Sequence, residues 1–137
     1  MDALAALGSF DFLVDAVSAP PPNVRAVNEG LRAALGLGYE DVVGAADVVI
    51  TKPGYGIVTD AIAGRTRIVY TERGDFPEYP ILVAEMARYL PSIHVSNDDL
   101  RAGRLEDPIR AVLALPFPEP PPLDGARVAA RRILELG

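Results

Sequence analysis

Residues 47–64 read DVVITKPGYGIVTDAIAG and decide the fold. The apolar run from Val48 to Ile50 predicts a buried β-strand, and the pattern from Ile57 to Ala63 predicts a helix. A glycine loop, Lys52 to Gly56, joins the two elements. Such a strand, turn and helix start form an anion site, because free backbone N–H groups and the positive end of the helix dipole converge there.

The glycine loop also holds the only lysine of the chain, Lys52. Pro53 fixes its backbone angle, while glycine permits close approach of a ligand to the backbone. The loop is not a Walker motif, because its lysine precedes the glycines. We therefore predict a phosphate site at Lys52, Gly54, Tyr55, Gly56 and Thr59. The alternatives are a solvated surface lysine and a glycine turn that only connects strand to helix.

Composition narrows the classes of function. The chain has 137 residues, 50% of them hydrophobic, which predicts one compact domain with a real core. It has no cysteine and a single histidine, His94, so we expect neither a metal site nor a bound cofactor. The net charge of −6 argues against nucleic acid as a partner. No apolar run approaches the ~20 residues of a membrane span, and no leader is visible, so we expect a cytoplasmic protein.

Short apolar runs alternate with helical patterns along most of the chain. This alternation is typical of βαβ units, and it predicts an α/β fold: a Rossmann-like parallel sheet with helices on both faces. The predicted helices are Tyr39 to Ala46, Ile57 to Ala63 with Gly64 as its stop, Pro77 to Leu90, and one starting at Asp107-Pro108. The predicted strands are Phe10 to Val14, Val24 to Val27, Val48 to Ile50, Ile68 to Tyr70 and Ile93 to Val95.

Proline divides the chain into two parts. Eight of the 13 prolines fall at residues 20–22 and 116–122, and the second cluster predicts a stiff extended connector. We assign residues 1–115 to the Rossmann-like domain. Residues 116–137 form the connector and a last helix, capped by Asp124, whose apolar stripe consists of Ala126, Ala129, Ala130 and Ile133.

The stretch from Ala46 to Ala61, followed by Arg73-Gly74-Asp75-Phe76-Pro77-Glu78-Tyr79, resembles the C-terminal, donor-binding half of GT-B glycosyltransferases of the MurG-like branch. The resemblance follows the order of elements over residues 8–137, and its specific part is residues 47–79. It implies a nucleotide-sugar donor, most simply a UDP-sugar, with the diphosphate at the turn of Lys52 to Gly56. It also implies transfer without a metal ion.

The resemblance also assigns the other parts of the donor. Asp60 stands where family members use a glutamate for the ribose hydroxyls, although its side chain is one methylene shorter. Val27 and Asn28 match the loop beside the base. The region that holds the sugar hydroxyls is matched by Asp75, Phe76, Glu78 and Tyr79. Three of these positions have a structural alternative: Asp75 and Glu78 could form a capping box, and Asp60 could be a solvated helix carboxylate.

Two parts of such an enzyme have no counterpart in this sequence. The family's donor half opens with a strand and a glycine-rich loop of its own, and its acceptor domain supplies the catalytic base. The resemblance therefore implies a fragment that carries no catalytic residue, is inactive alone, and has the missing N-terminal acceptor domain as its partner. The competing hypothesis is a non-catalytic α/β interaction module.

Overall fold

The computed structural model describes residues 2–136, so Met1 and Gly137, the outer limits of the two assigned parts, lie outside it. Helices and strands alternate along most of this range. The strands are β1 (Phe12–Val14), β2 (Val24–Ala26), β3 (Val48–Thr51), β4 (Arg67–Tyr70) and β5 (Ser92–His94). The helices are α1 (Asp2–Ala5), α2 (Glu29–Leu35), α3 (Tyr39–Ala45), α4 (Tyr55–Gly64), α5 (Tyr79–Tyr89), α6 (Asn97–Arg101), α7 (Glu106–Ala114) and α8 (Gly125–Glu135).

The strands form two small parallel sheets. β1 pairs with β2, with Phe12 opposite Val24, and β3, β4 and β5 pair in that order. The fold is therefore α/β and Rossmann-like, as the sequence predicts, and each predicted strand overlaps an observed one. The sheet itself differs from the expectation, because no hydrogen-bonded pairing joins β1 to β3.

Helices cover both faces of the three-stranded sheet. Ile68 and Val69 are adjacent in β4, point to opposite faces and are completely buried. Ile68 belongs to a core with residues of α3, α4 and α5, and Val69 to a core with Leu105 and residues of α7. A strand buried on both faces needs a continuous apolar run, which explains the signal in the sequence.

The end of α4 corrects the predicted role of Gly64. The helix includes Gly64, and the left-handed residue that ends it is Arg65, with φ 54°. Gly64 lies against Gly44 of α3, where a Cβ on Gly64 would come within 2.7 Å of the Gly44 Cα. The glycine therefore serves the close packing of two helices.

The C-terminal part is held to the rest of the described chain mainly through its first residues. Phe117 lies beneath the guanidinium groups of Arg65 and Arg67, at 4.6 and 4.5 Å from the ring centre. Beyond it, α8 makes no extensive contact with another described helix or strand, and Ile133 and Leu134 are 68% and 81% exposed. Within residues 2–136 no helix is both long and apolar enough to cross a membrane.

Candidate functional site

The start of α4 lies directly after the carboxyl end of β3. Its N-cap, Gly54, has extended backbone angles and no side chain to cap the helix, and the first helical bond runs from the Val58 N–H to the Gly54 carbonyl. Among the described residues, the N–H groups of Tyr55, Gly56 and Ile57 therefore find no acceptor. Three free donors at the positive end of a ten-residue helix can bind an anion.

Lys52 stands on the strand side of this turn and is exposed. No salt bridge involves it in the described part of the chain. The Thr51 hydroxyl donates to the Lys52 carbonyl at 3.1 Å, and Pro53 is fully buried, so the backbone on either side of the lysine is fixed. The ammonium group remains available to a ligand.

A second cation, Arg73, joins the turn from the loop after β4. Its Nη1 donates to the Pro53 carbonyl at 2.9 Å, and its guanidinium lies 4.4 Å above the ring of Phe76. A Cβ on Gly54 would come within 2.7 Å of the same Nη1, so a larger residue there would displace the end of this arginine side chain. The sequence analysis did not assign a role to Arg73, although it follows a strand that neighbours β3.

Tyr55 and Glu78 bring the two loops together at a second point. The neighbouring Glu78 carboxylate raises the pKa of the Tyr55 hydroxyl. Glu78 is the N-cap residue of α5, yet its side chain makes no capping bond, and α5 starts instead with a turn in which the Tyr79 N–H donates to the Phe76 carbonyl. The capping-box alternative for Asp75 and Glu78 is therefore wrong. Asp75 is exposed, on the loop before Phe76.

The two polar residues farther along α4 differ in what they offer to a ligand. The Thr59 hydroxyl donates to the carbonyls of Tyr55 and Gly56, at 3.0 and 2.8 Å, so its proton is used within the helix. Asp60 is half-buried, and no salt bridge or side-chain hydrogen bond involves it among residues 2–136. Its carboxylate is the free acceptor of this helix.

A cluster that the sequence analysis did not predict lies at the carboxyl ends of β4 and β5. One carboxylate oxygen of Glu72 lies 3.1 Å from His94 Nε2, and the other accepts from the Asn97 N–H at 3.0 Å. Hydrogen bonds from its own backbone and from Asn97, together with the nearby imidazole, lower the pKa of Glu72. Tyr79 completes this edge: its hydroxyl donates to the Thr71 carbonyl at 3.3 Å, and burial raises its pKa.

The two residues predicted beside the base lie in the other sheet's loop. Asn28 caps α2, because its Oδ1 accepts from the Leu31 N–H at 2.9 Å. The Val27 carbonyl accepts from Arg32 at 2.7 Å, and its side chain lines a cleft that also reaches Ile50. The phosphate and sugar candidates thus lie on the loops that follow β3 and β4, whereas the base candidates lie on the loop that follows β2, in the other sheet.

No protein-family model matches this chain, and neither the curated proteins nor the solved structures contain a match to it. In the described part of the chain, no group of three or more acidic or histidine side chains is placed to hold a metal ion.

Proposed function

We propose that the turn from Lys52 to Gly56 binds the diphosphate of a nucleotide sugar, UDP-linked, and that the chain is the donor-binding part of a MurG-like GT-B hexosyltransferase. One observation carries the proposal: the uncapped start of α4 has three free N–H groups and stands between Lys52 and Arg73. Backbone donors, a helix dipole and two cations all favour a doubly charged group at this point.

The neighbouring carboxylates suit the neutral parts of the donor. Glu78 lies beside Tyr55 at the mouth of the turn, and a carboxylate accepts hydrogen bonds from sugar hydroxyls. Asp60 lies one helical turn beyond Gly56 and can accept from the two vicinal hydroxyls of a ribose. In this arrangement the donor extends from α4 toward the loop of residues 73–79.

The chain would contribute binding and charge neutralisation to the reaction. N–H groups and cations that face a diphosphate stabilise the charge that develops on it as the glycosidic bond breaks. The acceptor and the base that activates it would come from the missing acceptor domain, so we expect no transfer by residues 1–137 alone. Detectable sugar transfer by the purified chain would contradict this assignment.

A titration with UDP followed by amide NMR tests the proposal. We expect shifts at Tyr55, Gly56 and Ile57 with a dissociation constant of about millimolar order, or roughly −4 kcal/mol, because a half-site loses much of its contact area. Uridine is the control: it has the base and ribose without the phosphates, and it should shift these amides far less. Absence of shifts at Gly54 and Gly56 with several millimolar UDP would reject the site.

A specific observation favours the second candidate, a non-catalytic interaction module. The apolar side chains of α8 are exposed, with Leu136 89% accessible just after the helix, and the connector holds them away from the two cores. Under this hypothesis the glycine turn only connects β3 to α4. The UDP titration separates the candidates, because the interaction module predicts no response at α4.

A further inference from the structure

An open cleft of about 720 Å³ separates the two sheets. β1 forms one wall and β3 the other, and the cleft is lined on its two sides by residues of α3 and of α7. Leu13, in the middle of β1, faces this space and is 49% exposed. An apolar strand residue left half open in the centre of a fold indicates that an element belongs there.

The two walls run in the same direction. Asp15, at the carboxyl end of β1, pairs with Arg32 at 3.1 Å, and the Arg32 guanidinium lies 5.5 Å from the ring of Tyr39. Tyr39 starts α3, and only two residues separate the end of α3 from the start of β3. The carboxyl end of β1 is thus near the start of α3. If α3 packs back along β3, the carboxyl end of β3 lies near the start of α3 as well.

Each wall has an unused row of backbone groups. The carbonyls of Asp47 and Thr51 accept from β4, so alternation along β3 directs the N–H and C=O groups of Val48 and Ile50 toward the cleft. On β1, the Phe12 N–H donates to the Asn23 carbonyl. The same alternation directs the N–H and C=O groups of Leu13 toward the cleft. Both edges can pair with one strand lying between them, whereas unpaired strand edges of this kind seldom remain open in natural proteins.

Side chains around the cleft define the chemistry of that strand. Val43 of α3 lies on one side and Ile109 of α7 on the other, and both are buried apolar residues. A strand in the cleft would be covered on both faces and needs apolar residues throughout. The amino-terminal end of the cleft is acidic, because Asp11 and Asp47 precede the two walls and are exposed. A basic residue at the start of the strand complements them.

We propose that this cleft binds a β-strand donated by another polypeptide, parallel to β1 and β3, apolar along its length and preceded by a basic residue. The strand joins the two sheets into one by adding backbone pairs on both edges, which is the mode of recognition called β-augmentation. The observations behind this proposal do not depend on nucleotide-sugar binding, since none of them involves the turn of Lys52 to Gly56.

A labelled peptide tests the proposal with the full chain. The peptide has one arginine followed by about five valine and leucine residues, a common strand length, and a soluble glycine-serine tail. We expect saturable binding in fluorescence anisotropy and slower hydrogen exchange at the amides of Leu13, Val48 and Ile50. The control peptide has the same sequence with N-methyl groups on alternate residues, which removes the donors of one edge, and it should not bind.

Two matched substitutions test whether the peptide binds in the cleft. Leu13→Asp should weaken binding about tenfold or more, because it puts a charge where the bound strand would bury an apolar side chain. Leu31→Asp changes a leucine of similar exposure, 44%, on α2 and should leave binding unchanged. Circular dichroism verifies that both variants are folded, and the N-methylated peptide tests the proposal on the unaltered protein.

Three results would overturn the proposal. The first is equal binding of the plain and the N-methylated peptides, which would reduce the interaction to apolar adhesion. The second is peptide binding that protects amides outside the two walls. The third is a dimer in sedimentation experiments whose wall amides are protected without peptide, which would make a second copy of this chain the occupant.

Discussion

Replacing Gly64 with alanine tests the closest helix contact of the fold. A Cβ at this position would lie 2.7 Å from the Gly44 Cα and 3.2 Å from the Thr66 hydroxyl oxygen. The Thr66 side chain is buried, and its hydroxyl donates to the Val43 carbonyl at 2.8 Å. Because the first clash is with backbone, α3 and α4 must separate to accept the methyl group.

The expected magnitude follows from two opposing effects. Alanine in place of glycine within a helix is favourable by about 1 kcal/mol, whereas overpacking of a close contact costs about 1–3 kcal/mol. Gly64→Ala should therefore lower the free energy of unfolding by up to about 2 kcal/mol. Gly44→Ala is the matched control: its Cβ would lie 3.6 Å from the Gly64 Cα, an ordinary contact, so the same substitution should be neutral or stabilising.

Urea unfolding monitored by circular dichroism measures both variants. The midpoint should fall for Gly64→Ala and should stay or rise for Gly44→Ala, with slopes equal to that of the parent. The geometry would be refuted if Gly64→Ala were as stable as the parent, or if Gly44→Ala were the more damaging of the two.

Three further predictions concern the site and its surroundings. Lys52→Ala should weaken UDP binding by about 1 kcal/mol at low salt and leave the unfolding midpoint unchanged; equal affinity would make Lys52 an ordinary surface cation. Because the pKa of Glu72 is lowered from its ordinary 4.5, its contribution to stability is present above that pH and lost below it. Glu72→Gln should therefore reduce the loss of unfolding free energy as the pH falls below 4.5. An unchanged dependence of stability on pH would contradict the role of the Glu72 cluster. Amides of residues 125–135 should exchange faster than those of 55–64, as few buried contacts protect α8, and strong protection there would show that α8 is packed.

Local patterns were sufficient to predict most elements of the fold. The three predicted strands of the three-stranded sheet are short apolar runs, because helices cover both faces of that sheet. Helix α2 was not predicted. Its residues are largely exposed and include Gly30, so the helix has no clear apolar face. The residues that could have indicated this helix are its caps, Asn28 before it and the left-handed Gly36 after it.

In the candidate site, too, features that depend on neighbouring residues could be predicted, whereas contacts between residues distant in sequence could not. The uncapped turn before α4 depends on neighbouring residues and was predictable, but Arg73 reaches Pro53 across 20 positions of sequence. His94 reaches Glu72 in the same way, from the next strand. Spacing along the chain cannot reveal such pairs, because they depend on which strands become neighbours. The cleft was equally hidden, since an unpaired apolar strand and a paired one have the same sequence pattern.

The cleft and the anion turn share one wall, which links the two proposals. Ile50 lines the cleft, and Lys52 follows two residues later at the carboxyl end of the same strand. A parallel strand bound beside β3 ends at that edge, where ligands of open α/β sheets bind, and its next residues would face the free N–H groups of Tyr55 and Gly56. A bound peptide that continues past this edge would then change the affinity for UDP.

Linkage makes this coupling measurable in both directions. If the bound peptide changes the affinity for UDP by some factor, bound UDP must change the affinity for the peptide by the same factor. The reason is that the two binding steps belong to one thermodynamic cycle. A peptide ending at the sheet edge should leave UDP affinity nearly unchanged, whereas one extended by a glycine-rich loop with free N–H groups should increase it. Identical UDP affinity with both peptides bound would show that the cleft and the turn act as separate sites.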